Sequence, residues 1–250
     1  MTKILILFFL LSSFASAKVV VKVRGYNFAP FVNISPDGDV SGATISILNE
    51  LNKIQSKFDF KFYKTSAKRR YNHFDNKEID LIFFEDKSWG WDKYEVEQSK
   101  RFASGGEVFI AKKEYNRDQS YFQNLKTKKI IGVLGFHYSF AGYEANENIL
   151  KRRFSMLLTS SPRSIVDLII KGRGDVGIIT ESLLRRQLKE IPSLKSQILV
   201  STKYDQRYKH KVLIGINSPI SKSELNSYID ILKANGALKT ILDNHGIKLY

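Results

Sequence analysis

The sequence predicts an α/β fold built mainly on parallel strands, and two observations carry that prediction. Strand-like runs alternate with helix-like runs along nearly the whole chain, the pattern that crossover connections between parallel strands require. One unit of that pattern, a helix, a turn, an aspartate and an apolar strand, occurs twice.

The first expected strand is "KVVVKV" (18–23). It is followed by "ATISILNELNKIQ" (43–55), whose Ile45, Leu48, Leu51 and Ile54 share one helix face. "FDFKFY" alternates as a half-buried strand does, "KRRYNHFDN" reads as helix and "IDLIFF" as strand. A polar loop containing two tryptophans leads to the strand "EVFIAKK" (107–113). The second half continues with strand "KIIGVL" (129–134), a helix near 139–151 and strand "FSMLL". A helix at 162–171, strand "DVGII" and helix "ESLLRRQLKE" follow. "HKVLIGI" (210–216) is one more strand, and "SELNSYIDILKANG" and "LKTILDNHG" are two closing helices.

"AKRRYNHFDNKEIDLIFFED" (67–86) and "PRSIVDLIIKGRGDVGIITE" (162–181) align end to end without a gap, placing Asp80 on Asp175. Two copies are too few for a solenoid, which needs at least three, but they suit two lobes of similar build. The second copy contains Arg173-Gly174-Asp175, a tripeptide that integrins read on exposed loops. Here it sits where a helix stops and an apolar strand starts. The expected role is therefore structural, each aspartate holding its turn by local hydrogen bonds.

"MTKILILFFLLSSFASA" has a positive Lys3, an apolar run from Ile4 to Leu11 and the small-residue triplet Ala15-Ser16-Ala17. These are the three parts of a secretory signal peptide. Cleavage is expected after Ala17, with the product released into the periplasm. The run is much shorter than the ~20 residues of a spanning helix. The chain has no cysteine, so neither a lipid-anchoring thiol nor a disulfide framework is expected. A formal charge of +15 raises nucleic acid as a partner. The basic residues, however, fall in separate short clusters, "AKRRY", "KTKK", "LKRRF" and "YKHK". A solvated basic surface is the expectation, with no specific nucleic-acid partner. Catalysis is not expected: His73, His137, His210 and His245 are far apart, and neither a Gly-x-Ser-x-Gly elbow nor a His-Glu-x-x-His spacing occurs. No cofactor or metal is expected. Glu85 and Glu181 remain as a conceivable acid–base pair.

"APF" (29–31) follows the first strand, "SGGEVFIAKK" (104–113) ends the first half, and "KKIIGVLGF" (128–136) opens the second. "IVDLIIKGRGDVGIIT" and "LKANGALKTILDNHGI" (232–247) come after them. In this order and spacing the stretches resemble the bacterial extracellular solute-binding proteins of family 3, the periplasmic amino-acid-type receptors of ABC transporters. The resemblance implies a two-lobed periplasmic binding protein fold of type II: mainly parallel sheets flanked by helices, with two hinge crossovers. It implies a first lobe of 18–110 with 208–250 and a second of 111–207. The implied function is capture of a small polar solute, an anionic or aromatic one included, between the lobes of a monomer that serves an inner-membrane permease. A ligand-sensing module for a membrane signalling protein, or a periplasmic lyase or dehydratase, are the alternatives on the same fold.

In amino-acid-binding members an arginine after the third strand clamps the ligand carboxylate, and an acidic residue in the second lobe takes its amine. This chain departs at both places: "WGWDKYEVEQSKRF" (89–102) has no Thr-x-x-Arg, and Thr180 stands at the acidic position with Glu181 beside it. Arg69 is similar to the arginine of a Trp-x-Arg pattern in divergent members, with Ala67 replacing the tryptophan. A guanidinium there either holds a carboxylate or phosphate in two parallel bonds or is solvated. Tyr26, Phe28 and Phe31 follow the first strand, where α/β folds place crevices; for the two phenylalanines, core packing is the alternative. Trp89 and Trp91 flank Gly90, to stack on a ring or cation or to pack over the lobe. Phe136, His137, Tyr138 and Ser139 of "GFHYS" follow a strand and open a helix whose N–H groups would face an anion, Ser139 acting as cap. Glu85 and Glu181 end the paired strands, placed to meet a cationic group on the ligand.

Overall fold

A computed structural model describes residues 17–250. Apart from Ala17, the expected leader lies outside the described residues, among which no helix is long and apolar enough to cross a membrane. The chain begins with β1 (Val19–Gly25), a short hairpin of β2 (Asn33–Ile34) and β3 (Val40–Ser41), α1 (Ala43–Ile54) and β4 (Phe58–Lys64). Then come α2 (Arg70–Asp75), β5 (Leu81–Glu85), β6 (Val96–Gln98) and β7 (Ala103–Lys112). Next are β8 (Ile130–Val133), α3 (Glu147–Phe154), β9 (Met156–Thr159), α4 (Ile165–Ile170), β10 (Val176–Thr180) and α5 (Glu181–Glu190). An 18-residue strand, β11 (Ile198–Gly215), precedes α6 (Lys222–Ala234), α7 (Ala237–Asn244) and β12 (Lys248–Leu249).

The strands run in the order β4-β1-β5-β11-β7-β10-β8-β9. β1 pairs in parallel with β4 and β5, and β8 in parallel with β9 and β10. Each lobe thus has its own parallel sheet, covered by helices as buried parallel strands require. β7 and β11 pair antiparallel with each other, β11 also with β5 and β7 also with β10. These two long strands are the crossovers that weld the lobes into one curled sheet. Their ladder slips between Val200 and Gln206. There Gly106 lies so close to the facing chain that a Cβ would stand 2.4 Å from the Tyr204 ring and 2.5 Å from the Gln206 carbonyl. The second glycine of "SGGEVF" is needed for that approach.

The repeated unit takes the same form in both lobes. Asp80 Oδ2 accepts from the Lys22 N–H at 2.6 Å while the Asp80 N–H donates to the Lys22 carbonyl at 2.9 Å. Asp175 Oδ2 accepts from the Lys129 N–H at 2.7 Å while its own N–H donates to the Lys129 carbonyl at 2.8 Å. Each aspartate therefore clamps the neighbouring strand, Asp80 at the middle of β1 and Asp175 just before β8. The hydrogen bonds are long-range and not local as expected, but the role of Arg173-Gly174-Asp175 is structural.

Four local expectations are corrected. The buried stripe of α1 is Ala43, Thr44, Ile47, Leu48 and Leu51, with Ile45 and Ile54 half-buried, because the helix packs one step around from the expected face. The helix expected near 139–151 is a 3₁₀ turn at Ser139–Ala141, stopped by Gly142 at φ 66°, with α3 starting only after Asn146. Asn146 Oδ1 caps α3 by accepting from the N–H groups of Asn148 and Ile149. β11 begins twelve residues before the expected "HKVLIGI", in polar sequence whose strand character comes from its ladder with β7. The tryptophan loop is not polar in its packing: Trp91 is fully buried against Tyr71, Phe74 and Tyr94.

Candidate functional site

The carboxyl ends of β1 and β4 in one lobe and of β8 and β9 in the other face each other, which is where open α/β sheets bind ligands. On the first lobe the main charged group is Arg70, the first residue of α2 and fully buried. Its Nη1 donates to the Ala67 carbonyl at 2.5 Å and its Nη2 to the Tyr71 hydroxyl at 2.8 Å. The guanidinium lies over the rings of Tyr26 and Tyr71, 4.7 and 4.6 Å from their centroids. Its Nε stands 3.6 Å from Glu85 Oε1, an ion pair without a hydrogen bond; among the described residues neither atom has a hydrogen-bond partner. The other oxygen of Glu85 accepts from Trp91 Nε1 at 2.7 Å. Burial raises the Glu85 carboxyl, and Arg70 and Trp91 oppose that rise.

Gln206 of β11 ties the lobes together. Its Oε1 accepts from Trp89 Nε1 at 3.0 Å, on the first lobe. Its Nε2 donates to the His137 carbonyl at 2.6 Å, on the second, and to Glu107 Oε2 of β7 at 2.8 Å. Glu107 is buried in register opposite Gln206 and beside Thr180 of β10. Burial, with the nearby Asp205 carboxylate adding to it, pushes the Glu107 carboxyl up to about 8. Burial, with the charge of Arg70 adding to it, pushes the His137 ring down to about 3.

These groups surround an inner chamber. The first lobe contributes Tyr26, Phe28, Arg70 and Trp89, the second Phe136 and His137, and the crossovers Glu107, Gln206 and Tyr208. Phe28 is its central ring, with centroids 5.2 Å from Phe136, 5.8 Å from Trp89 and 6.1 Å from Tyr208. The volume left among them is about 10 Å³, roughly the room one water needs. Tyr26 and Phe136, edge to face at 6.1 Å, separate it from an outer hollow of about 240 Å³ between Asn27, Thr65 and Lys68 of one lobe and Leu134 and Ser160 of the other. At the rim Lys68 pairs with Glu147 across the lobes at 3.0 Å. Gly135, at φ 79°, sits where a Cβ would come within 2.9 Å of the Ala67 Cβ. A larger hollow of about 470 Å³, by Phe109, Phe122 and Phe140, opens on the flank of the second lobe. Lobe closure does not grip that space.

Of the expected site residues, Tyr26, Phe28, Trp89, Phe136 and His137 meet in the inner chamber. Phe31 and Trp91 are core: Phe31 packs among Phe28, Phe84 and His210 at tilted and edge-on angles. Tyr138 is core as well, its hydroxyl accepting from the Val133 N–H at 2.5 Å. Arg69 is exposed, because the inward face of α2 carries Arg70, Tyr71 and Phe74, and Arg70 takes the place expected for it. The N–H groups of Ser139 and Phe140 do face an anion, but it is the protein's own Asp205, at 2.8 and 2.9 Å. Ser139 is not the cap; Tyr138 holds that position. Glu85 belongs to the Arg70 pair in the first lobe, whereas Glu181 pairs with Arg185 along α5, so the two carboxylates form no acid–base pair. Thr180 is buried beside Glu107. Sequence reasoning missed Arg70, Glu107, Gln206 and Tyr208. Helical spacing of Arg70 with Phe74, and a carboxylate opening the apolar run "EVFIA", were the available signals for the first two.

No protein-family model and no curated protein matches the chain. Solved structures do. A substrate-binding protein of an ABC uptake transporter from Streptococcus pneumoniae, with bound histidine, superposes with a TM-score of 0.70 at 15% identity, covering 90% of this chain and 91% of that one. A histidine kinase sensor domain with similarity to periplasmic binding proteins gives 0.69 at 11% identity, covering 93% and 98%. An ancestral amino-acid-binding protein, a precursor of cyclohexadienyl dehydratase, gives 0.66 at 14% identity, covering 90% and 94%. At these identities the likeness establishes the two-lobed binding-protein fold.

Proposed function

We propose that this protein is an exported solute receptor, a divergent relative of the family 3 binding proteins, that closes two lobes on a small polar solute. One observation carries the reading: both lobes and both crossover strands send side chains into a single chamber, and Gln206 hydrogen-bonds to three of those four parts. Residues that meet only when the lobes meet are what a closing receptor needs, since only contacts absent from the open form shift the equilibrium. The lobes are proposed to be 18–110 with 208–250, and 111–207, turning about β7 and β11. The aromatic wall suits a solute with an apolar or ring-bearing part. The chain is taken to act in the periplasm after loss of residues 1–17, as a monomer that delivers its solute to an inner-membrane permease.

The test is a thermal-shift screen of the secreted protein against amino acids, polyamines, organic acids and nucleosides, with small-angle scattering on every hit. A solute at a hundred times its Kd adds about 2.7 kcal/mol, or roughly 5–11 °C for a chain of this size, and reduces the radius of gyration. No stabilisation by any compound, together with unchanged scattering, refutes the reading. Near-complete mutual coverage with the kinase sensor domain favours a second reading, in which the closed form reports to a membrane sensor. Capture of a permease or of a sensor kinase by the solute-loaded protein separates the two.

A further inference from the structure

We propose that the inner chamber is a site for an organic cation, a solute bearing an ammonium, amidinium or guanidinium group, with Glu107 as its counter-ion. The proposal rests on the receptor reading and names the solute class of the same cleft. Arg70 is already matched inside the first lobe, by Glu85 at 3.6 Å and by the Tyr26 and Tyr71 rings on which it lies. An anion entering the chamber would compete with Glu85 for it. Glu107 has no such match. Its donors are both neutral, the Gln206 amide at 2.8 Å and the Tyr208 hydroxyl, and its charged neighbour is another carboxylate, Asp205. Asp205 is itself occupied by two backbone N–H groups.

The walls agree with that sign. Phe28, Trp89, Phe136 and Tyr208 present aromatic rings around the space in front of Glu107, and ring faces attract cations within about 6 Å. An ionised carboxylate enclosed by such rings is costly until a cation joins it. The closed chamber is too small for a solute, so entry requires the lobes to part and the rings of Phe28 and Phe136 to move aside.

A consequence follows for protons. Burial keeps the Glu107 carboxyl protonated up to about pH 8, so near neutrality an arriving cation replaces a proton. The O–H bond of Glu107 breaks, the proton goes to solvent, and the carboxylate pairs with the cation. The titratable groups facing Glu107 are Asp205 and Tyr208 on β11 and Tyr138, with His137 and Arg70 at the same chamber. Both tyrosines are raised by burial and His137 is pushed to about 3, so these three keep one form between pH 6 and 8.

Calorimetric titration of the wild-type protein with choline, putrescine and agmatine, and separately with succinate and inorganic phosphate, tests this. The expected result is binding by at least one cation, with about one proton released per cation at pH 7, read from two buffers of different ionisation enthalpy. Affinity should rise between pH 6 and 8, approaching tenfold per pH unit, since one proton is exchanged. Glu107→Gln should weaken that binding at least tenfold and abolish the proton release. Binding of succinate or phosphate but of no cation overturns the proposal and leaves the receptor reading standing. So does cation binding with no proton release, or undiminished in Glu107→Gln. Binding by none of the five probes overturns the cation site, and the wider screen above then decides the receptor reading alone.

Discussion

Replacing Glu107 by glutamine should make the protein more stable at neutral pH and remove a pH dependence. The folded state keeps a proton on this carboxyl up to about pH 8, whereas an ordinary glutamate loses it near 4.5. Between those values the folded chain binds one more proton than the unfolded chain, so stability falls as pH rises, by about 1.4 kcal/mol per unit. At pH 7 the accumulated cost is about 3 kcal/mol, and above 8 it stops growing. Glutamine keeps a carbonyl oxygen for the Gln206 amide and has no proton to lose. Glu107→Gln should therefore melt roughly 6–12 °C higher at pH 7, at about 2–4 °C per kcal/mol. Between pH 6.5 and 8 the wild type should lose about 1.7 kcal/mol relative to the variant. Below about 7.5 the buried rings of His137 and His210, both pushed down to about 3 by burial, act in the opposite sense. The unfolded chain protonates them and the folded chain does not, so stability falls with falling pH in both proteins. Denaturant melts at half-unit pH steps measure the slopes. Identical wild-type and variant slopes between pH 6.5 and 8, or a variant less stable at pH 7, refute the reasoning.

Arg70→Ala leaves the Glu85 carboxylate buried without its cation and should cost about 3–5 kcal/mol. Arg69→Ala, one residue away on the exposed side, should stay within about 0.5 kcal/mol; equal losses in urea melts would overturn the assignment. Asp175→Ala removes the acceptor for the Lys129 N–H and should destabilise by about 1–3 kcal/mol, while integrin-bearing cells should not adhere to the wild type. Trp89→Phe deletes the donor to Gln206 Oε1 and should cost about 1 kcal/mol. It should also shift scattering of the unliganded protein toward a larger radius. Lys68→Ala at the rim should change stability by no more than about 1 kcal/mol, the worth of an exposed pair, and the difference should vanish in high salt.

The alternation of elements, the two-lobed plan and the repeated Asp80 and Asp175 units were legible because each is written over short distances. Apolar period marks helix or strand, and the aspartate sits at a fixed place between them. Arg69 and Arg70 could not be told apart by residue type, since the choice depends on which side of a short helix faces the rings of Tyr26 and Trp91. The expected anion site at Ser139 and Phe140 looked open in the sequence because Asp205 reaches it from a strand more than sixty positions away. The polar half of β11 escaped for the same reason. Nothing in "STKYDQRYK" declares a strand until β7 lies alongside.

Local pattern by itself determined the alternation of helices and strands, that the strands are mainly parallel, and that the build occurs twice. Only the tertiary structure decided which charges are left to act in the cleft. Whether a carboxylate keeps its proton depends on what surrounds it: Arg70 approaches Glu85, while Asp205, Gln206 and aromatic rings surround Glu107. Those neighbours come from distant parts of the chain, and burial and Coulomb interaction act through space and not along the sequence.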